Sequence, residues 1–419
     1  MTDNPQPLGQ IHWQVDSMPK RALIGAQMLF VAFGALVLMP LLTGLDPNVA
    51  FFTAGVGTLI FQLVTKRQVP VFLASSFAFI APVILGSQQF GLAATLGGLA
   101  ACGVIYMLIA AVVRVQGLAI IERLLPPVVV GPIIVVIGLS LASVGVNMAM
   151  GKTGDGSAQL VAADTALIIS MASLVTTLLV ATMARGLFRL IPIFAGIVVG
   201  YGLSLGYGIV SFDALASAPW LAVPDFVTPE FHWEAILWML PVAIAPAIEH
   251  VGDVLAIGSV TGKDYVKKPG LHRTLLGDGL ATTTAALFGG PPNTTYSEVT
   301  GAVTLTRNFD PRIMTWAAGF AIVLAFVGKL GAALQSIPTV VMGGIMVLLF
   351  GSIAVVGMNT LVKAKVDLSE PRNLVIASVV LVFGVGGMSL GFGEFSLQGI
   401  SLCALVAILL NLVLPQQRH

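Results

Sequence analysis

Apolar runs separated by short polar or Pro/Gly-rich breaks repeat along the chain from residue 22 onward. Runs such as 24–42, 96–113 and 374–390 match the roughly 17–25 residues a helix needs to cross a bilayer. Read between breaks, the pattern predicts about fourteen crossings. They are 22–44, 47–65, 69–86, 91–115, 125–147, 161–184, 187–211, 235–259, 274–290, 291–306, 311–331, 337–357, 371–391 and 396–414. The third and tenth are short and interrupted by prolines, so hydropathy alone marks them weakly.

Composition agrees with lipid as the surrounding medium. The chain is 57% hydrophobic and 9% charged, against about 25% charged in soluble domains. The net charge of +1 points to no nucleic-acid partner. Cys102 and Cys403 both sit in apolar runs, which gives neither a disulfide framework nor a metal-ligand spacing. The first twenty residues are polar, contain Asp3 and Asp16, and lack the basic start of a cleavable signal. No complete G-x-x-x-x-G-K-[ST] phosphate-binding loop occurs, so ATP-driven pumping has no support, and no cofactor is expected.

The cations give an independent check on the count. With the N-terminus in the cytoplasm, Lys20, Arg21, Lys66, Arg67, Arg114, Arg123, Lys263, Lys267, Lys268 and Lys363 all fall on the cytoplasmic side, while Lys152 and Lys329 fall opposite. Cytoplasmic loops are rich in Lys and Arg, and dropping one broken span would reverse everything after it. Fourteen spans divide into two inverted sevens, an arrangement that marks secondary transporters whose paired broken helices meet at the binding site. The two breaks read Val69-Pro70-Val71-Phe72-Leu73-Ala74-Ser75-Ser76-Phe77 and Pro291-Pro292-Asn293-Thr294-Thr295-Tyr296-Ser297-Glu298. Each is expected to hold a short extended piece and then a half-helix with free N–H groups. The expected fold is therefore all-α and polytopic, with extended segments in spans three and ten.

Acidic residues inside such spans usually face a cavity, bind a ligand or carry protons. Glu249 lies within the run 235–259, and Glu298 within the tenth span. Asp253 follows Glu249 by four residues and shares its helical face. Like charges so placed repel, so one of the two is expected to hold a proton. Asp278 is a fourth acid, with Arg273 nearby in sequence as a simple salt-bridge partner. His250 points away from Glu249 and reads as an interior histidine. No pair of histidines brackets a glutamate, which excludes a zinc-protease helix.

These residues resemble the nucleobase–ascorbate transporter family, and within it the bacterial uracil-transporting members. The likeness runs from about Gln27 to the last span. It is carried by Ser75-Ser76-Phe77-Ala78-Phe79-Ile80, Ala247-Ile248-Glu249-His250-Val251-Gly252, Pro269-Gly270-Leu271-His272-Arg273, Pro292-Asn293-Thr294-Thr295-Tyr296 and the partial signature Glu298-Val299-Thr300-Gly301. The resemblance implies two inverted seven-span repeats. A cytoplasmic tail (1–21) precedes a core domain of 22–118 and 231–333, and a gate domain comprises 119–230 and 334–419. It also implies uracil uptake with protons by an elevator-like movement across the inner membrane, both termini cytoplasmic, and a homodimer formed through the gate domain.

By the same resemblance Glu249 and Glu298 bind the base, and the backbones of Phe77 and Ser297 add hydrogen bonds. Tyr296 flanks the site, Ala35 leaves room for the ring, and Asp253 and Asp278 couple the ion. Several positions depart from the uracil pattern. Asp253 stands where histidine is usual and aspartate is typical of purine members, Gln27-Met28 lacks the first-span histidine, Val299 replaces asparagine, and Ser297 replaces glycine. A xanthine or purine symporter, coupled to protons or sodium, is thus the nearest alternative. An intramembrane hydrolase built on Glu249 and Asp253 is a distant one, and an anion carrier would want a basic residue in place of clustered acids.

Overall fold

The structure, a computed structural model, describes residues 17–117, 123–392 and 395–415. The expected tail therefore lies outside the described residues up to position 16. The chain is mostly helical, and among the described residues seven helices are long and apolar enough to cross a membrane. Phe77–Phe90, Pro192–Gly206, Arg312–Ala325, Pro371–Val385 and Gly399–Val413 are shorter apolar helices.

Local chemistry sets the first boundaries. Helix α1 (Met18–Thr43) starts where Ser17 Oγ accepts the Lys20 N–H, and ends at Gly44 with φ 75°, a left-handed stop that glycine adopts without Cβ strain. Helix α2 (Pro47–Val64) opens on Asp46, whose side chain accepts the Asn48 N–H at 2.7 Å. Strand β1 (Leu73–Ser75) leads through a tight turn at Phe77–Phe79 into α3 (Ile80–Phe90). Helix α4 (Leu92–Gln116) follows. Then come α5 (Pro127–Ser140), α6 (Ala142–Ala149), α7 (Ala163–Met183) and α8 (Pro192–Gly206).

The long run near the middle is not one straight rod. Helix α9 (Trp233–Met239) passes through a tighter turn at Leu240–Ala243, which contains Pro241, into α10 (Ile244–Thr261). A proline lacks the N–H that a continuous helix needs, so the break falls there. Helix α11 (Leu271–Leu287), strand β2 (Asn293–Thr295), α12 (Ser297–Thr306), α13 (Arg312–Ala325) and α14 (Gly328–Gln335) come next. The chain closes with α15 (Thr339–Lys363), α16 (Pro371–Val385), strands β3 (Ser389–Phe392) and β4 (Phe395–Gln398), and α17 (Gly399–Val413). The β3–β4 hairpin before α17 was not expected from hydropathy.

Strands β1 and β2 pair antiparallel in the protein interior, Ala74 opposite Thr294. Each is tied to the helix preceding it by one threonine. Thr58 of α2 accepts the Leu73 N–H at 2.9 Å, and Thr282 of α11 donates to the Asn293 carbonyl at 2.7 Å. Asn293 Nδ2 also donates to the Thr53 carbonyl at 2.8 Å. Backbone polar groups cannot be left unpaired in an apolar interior, and these bonds supply the partners. Helices α1, α2, α10 and α11 pack around the strand pair, while α15 packs on α5, α6 and α7. Leu167, Ile168, Met171, Val175 and Leu179 of α7 are exposed, as lipid-facing side chains would be.

Candidate functional site

The two broken segments put short helices end-on to the strand pair. Neither Ser76, before Phe77–Phe79, nor Tyr296, before α12, caps the helix that follows with its side chain, a position where helix-start N–H groups take outside partners. Tyr296, at the start of α12, spans the gap. Its hydroxyl donates to the Ser75 carbonyl at 2.9 Å and its N–H to the Phe72 carbonyl at 3.1 Å. The Tyr296 and Phe77 rings lie 6.5 Å apart.

Helix α10 passes alongside. Glu249 opens into a cavity of about 520 Å³ that Phe77, Ala78, Gly252 and Asp253 also line. Asp253, one helical turn on, is buried, and its Oδ2 accepts the Thr295 hydroxyl hydrogen at 2.8 Å. Thr294, the preceding residue, reaches Asp278 Oδ2 at 3.4 Å. Successive side chains of a strand point to opposite faces, so one short strand serves two acids on two helices. Sequence reasoning gave neither threonine a role. The alternation of a strand between α10 and α11 is the signal that could have found them.

Of the two readings of Asp278, an ion role or a salt bridge, the structure bears on the second. Arg273 does not pair with it, since its Nη1 donates to the Val64 carbonyl at 3.2 Å. Asp278 instead lies fully buried with Oδ2 3.4 Å from His250 Nδ1. His250 is an interior histidine as read, with its ring 6.3 Å from that of Phe61, but it faces an acid that sequence distance concealed.

Glu298 sits in the first turn of α12, where the helix dipole favours a negative charge. It lines a separate, smaller space of about 40 Å³ with Val31 and Gly34 of α1 and residues 190–194 before and within α8. The charges of Asp278 and Glu298 both act on Glu249 and on Asp253. The structure thus gathers the four acids around the strand pair, with Glu249, Asp253 and Phe77 on one cavity and Glu298 on another. The side chains of Ala35 and Ser297 lie outside the described residues. Among the described residues no group of His, Cys, Asp and Glu is placed to hold a metal ion.

Comparison with known proteins gives the same picture. The chain is 60% identical over 400 residues to the probable uracil permease of Pasteurella multocida, covering 96% of this chain and 95% of that one. It is 46% identical to the uracil permease of Bacillus caldolyticus (94% and 91% covered) and 40% identical to that of Escherichia coli (93% and 90% covered). Among solved structures, the transmembrane domain of the cyanobacterial bicarbonate transporter BicA superposes with a TM-score of 0.64 at 15% identity, covering 95% of this chain and 98% of that one. The murine anion transporter Slc26a9 superposes with a TM-score of 0.69 at 12% identity, covering 96% and 69%. At such identities the likeness is one of fold alone. Residues 19–391 match the sequence model Xan_ur_permease, described as the permease family, and this chain is therefore an integral membrane protein that belongs to that family.

Proposed function

We propose that the protein takes up uracil with protons across the bacterial inner membrane. The observation that carries this reading is Glu249 opening, with Phe77 and Asp253, into an otherwise largely apolar cavity at the start of a half-helix that has no side-chain cap. Uracil is flat and neutral, with two N–H donors and two carbonyl acceptors. Carboxylates accept from the donors, and the half-helix N–H groups donate to the carbonyls. Such a site rejects analogues that leave its own polar groups unpaired. The relatives named uracil permease support the choice of base.

In this reading the base binds to Glu249 of α10 and draws in Glu298 of α12 from the separate space it lines, with Phe77, Ser297, Tyr296 and Ala35 around it. Asp253 and Asp278 respond to the ion. The chain forms fourteen spans in two inverted sevens, with core domain 22–118 and 231–333 moving against gate domain 119–230 and 334–419. The matched roles of Thr58 on β1 and Thr282 on β2 support the repeat. Both termini face the cytoplasm, and the gate domains pair in a homodimer. One proton entering down ~100 mV would contribute about 2.3 kcal/mol.

Labelled uracil uptake into proteoliposomes under an imposed pH gradient tests this reading. Accumulation of intact uracil, blocked by collapsing the gradient, is the expected result. Inhibition by unlabelled xanthine with none by uracil analogues would reject uracil in favour of a purine. Chemically altered label would point to hydrolysis.

A further inference from the structure

Lys363 takes no part in the proposed uptake, yet it lines the same cavity as Glu249 and Asp253. It stands in the last turn of α15, exposed, and joins none of the ion pairs formed among the described residues. Ile353, Val356, Thr360 and Lys363 recur at helical spacing and form one face of α15 toward the cavity. Val130, Ile134 and Ile137 of α5 line it as well. At 1.5 Å per residue, Ile353 and Lys363 are separated by roughly 15 Å along the helix. The cavity is thus acidic at α10, apolar along α5 and α15, and cationic where α15 ends.

Its size of about 520 Å³ falls within the ~300–1,000 Å³ of sites for drug-sized ligands, more than a single-ring base fills. Thr360 gives its hydroxyl hydrogen to the Val356 carbonyl at 3.0 Å, which leaves its oxygen free to accept. A ribose hydroxyl could donate there, and a phosphate would take charge-assisted hydrogen bonds from Lys363.

We propose that this cavity also binds a pyrimidine nucleotide from the cytoplasmic side, its ring toward Glu249 and Phe77 and its phosphate on Lys363, and that bound nucleotide inhibits transport. The inference rests on the uracil reading above. The nucleotide is an inhibitor and not a substrate, because carrying a phosphate past the apolar walls would strip its water without compensation. The two ends enforce one orientation, since a phosphate beside Glu249 and Asp253 would be repelled.

The test is displacement of labelled uracil from the purified full-length chain in lipid nanodiscs. Uridine monophosphate, uridine and orotate serve as competitors, against wild type, Lys363→Gln and Lys363→Arg. Uridine monophosphate should displace uracil, with uridine and orotate at least about tenfold weaker, as expected for loss of a charge-assisted bond that spans the cavity. Lys363→Gln should weaken the nucleotide by about tenfold or more and leave uracil affinity unchanged, while Lys363→Arg retains it. Uracil binding without displacement by the nucleotide, or equal displacement in Lys363→Gln, overturns the proposal. No uracil binding in wild type would overturn the uracil reading itself, a result distinguishable from the other two.

Discussion

Thr295 donates its hydroxyl hydrogen to Asp253 at 2.8 Å, joining the strand of one broken span to the helix that carries Glu249. The bond sets the direction of the Asp253 carboxylate and, through it, the face of α10 that looks into the cavity. Thr295→Val keeps the shape and removes the donor. A hydrogen bond to an ionised group contributes roughly 1.5–3 kcal/mol, so uracil uptake should fall by about tenfold or more, and Thr295→Ser should restore most of it. Wild-type rates in the valine variant would show that the bond does not support transport.

Glu249→Gln replaces an acceptor-only group by one that also presents donors to the N–H edge of the base. Uptake should be lost, with protein yield and thermal stability retained. Glu298→Gln should weaken uracil uptake severely and shift competition toward purines. Unchanged kinetics would remove Glu298 from the site.

Asp253→Asn should separate binding from coupling. Uracil binding survives in this expectation, whereas uptake loses its dependence on the imposed gradient. Flux measured against pH and against sodium checks it, and intact dependence on both would rule out a coupling role.

Asp278 and His250 form a buried contact that fails if one member is removed. Leaving a buried polar group without its partner typically costs about 1–3 kcal/mol. Asp278→Ala should lower the thermal midpoint in detergent, and adding His250→Phe should recover part of the loss. Additive losses in the double variant would mean the two side chains do not interact.

Gly57 meets the strand pair from α2. A Cβ there would sit 2.7 Å from Asn293 Nδ2 and 3.0 Å from Ala281 Cβ. Gly57→Ala should therefore push Asn293 off the Thr53 carbonyl and reduce both stability and uptake. A variant as stable and active as wild type would show that β2 tolerates the shift.

Some of this was readable without a structure. Helical period alone puts Glu249 and Asp253 on one face, because four residues make about one turn. The prolines before Phe77 and Ser297 announced the interruptions, since a proline cannot continue a helix. The break at Pro241 went unread because it sits inside an apolar stretch, and the β3–β4 hairpin because the glycines and polar residues of 386–398 mark a break between spans without showing that it pairs with itself.

What depended on packing was the partner of each polar group. Arg273 lies closer to Asp278 in sequence than His250 does, yet the α10–α11 contact brings the histidine in and leaves the arginine on the Val64 carbonyl. Thr294 and Thr295 find different acids only because β2 runs between two helices. Lys363 reaches the cavity of Glu249 because α15, from a distant part of the chain, lines that cavity as well. Burial in lipid is a one-dimensional property that apolar run length determines by itself. Which charges face one another is a property of side chains meeting across helices, and only the tertiary fold decided it.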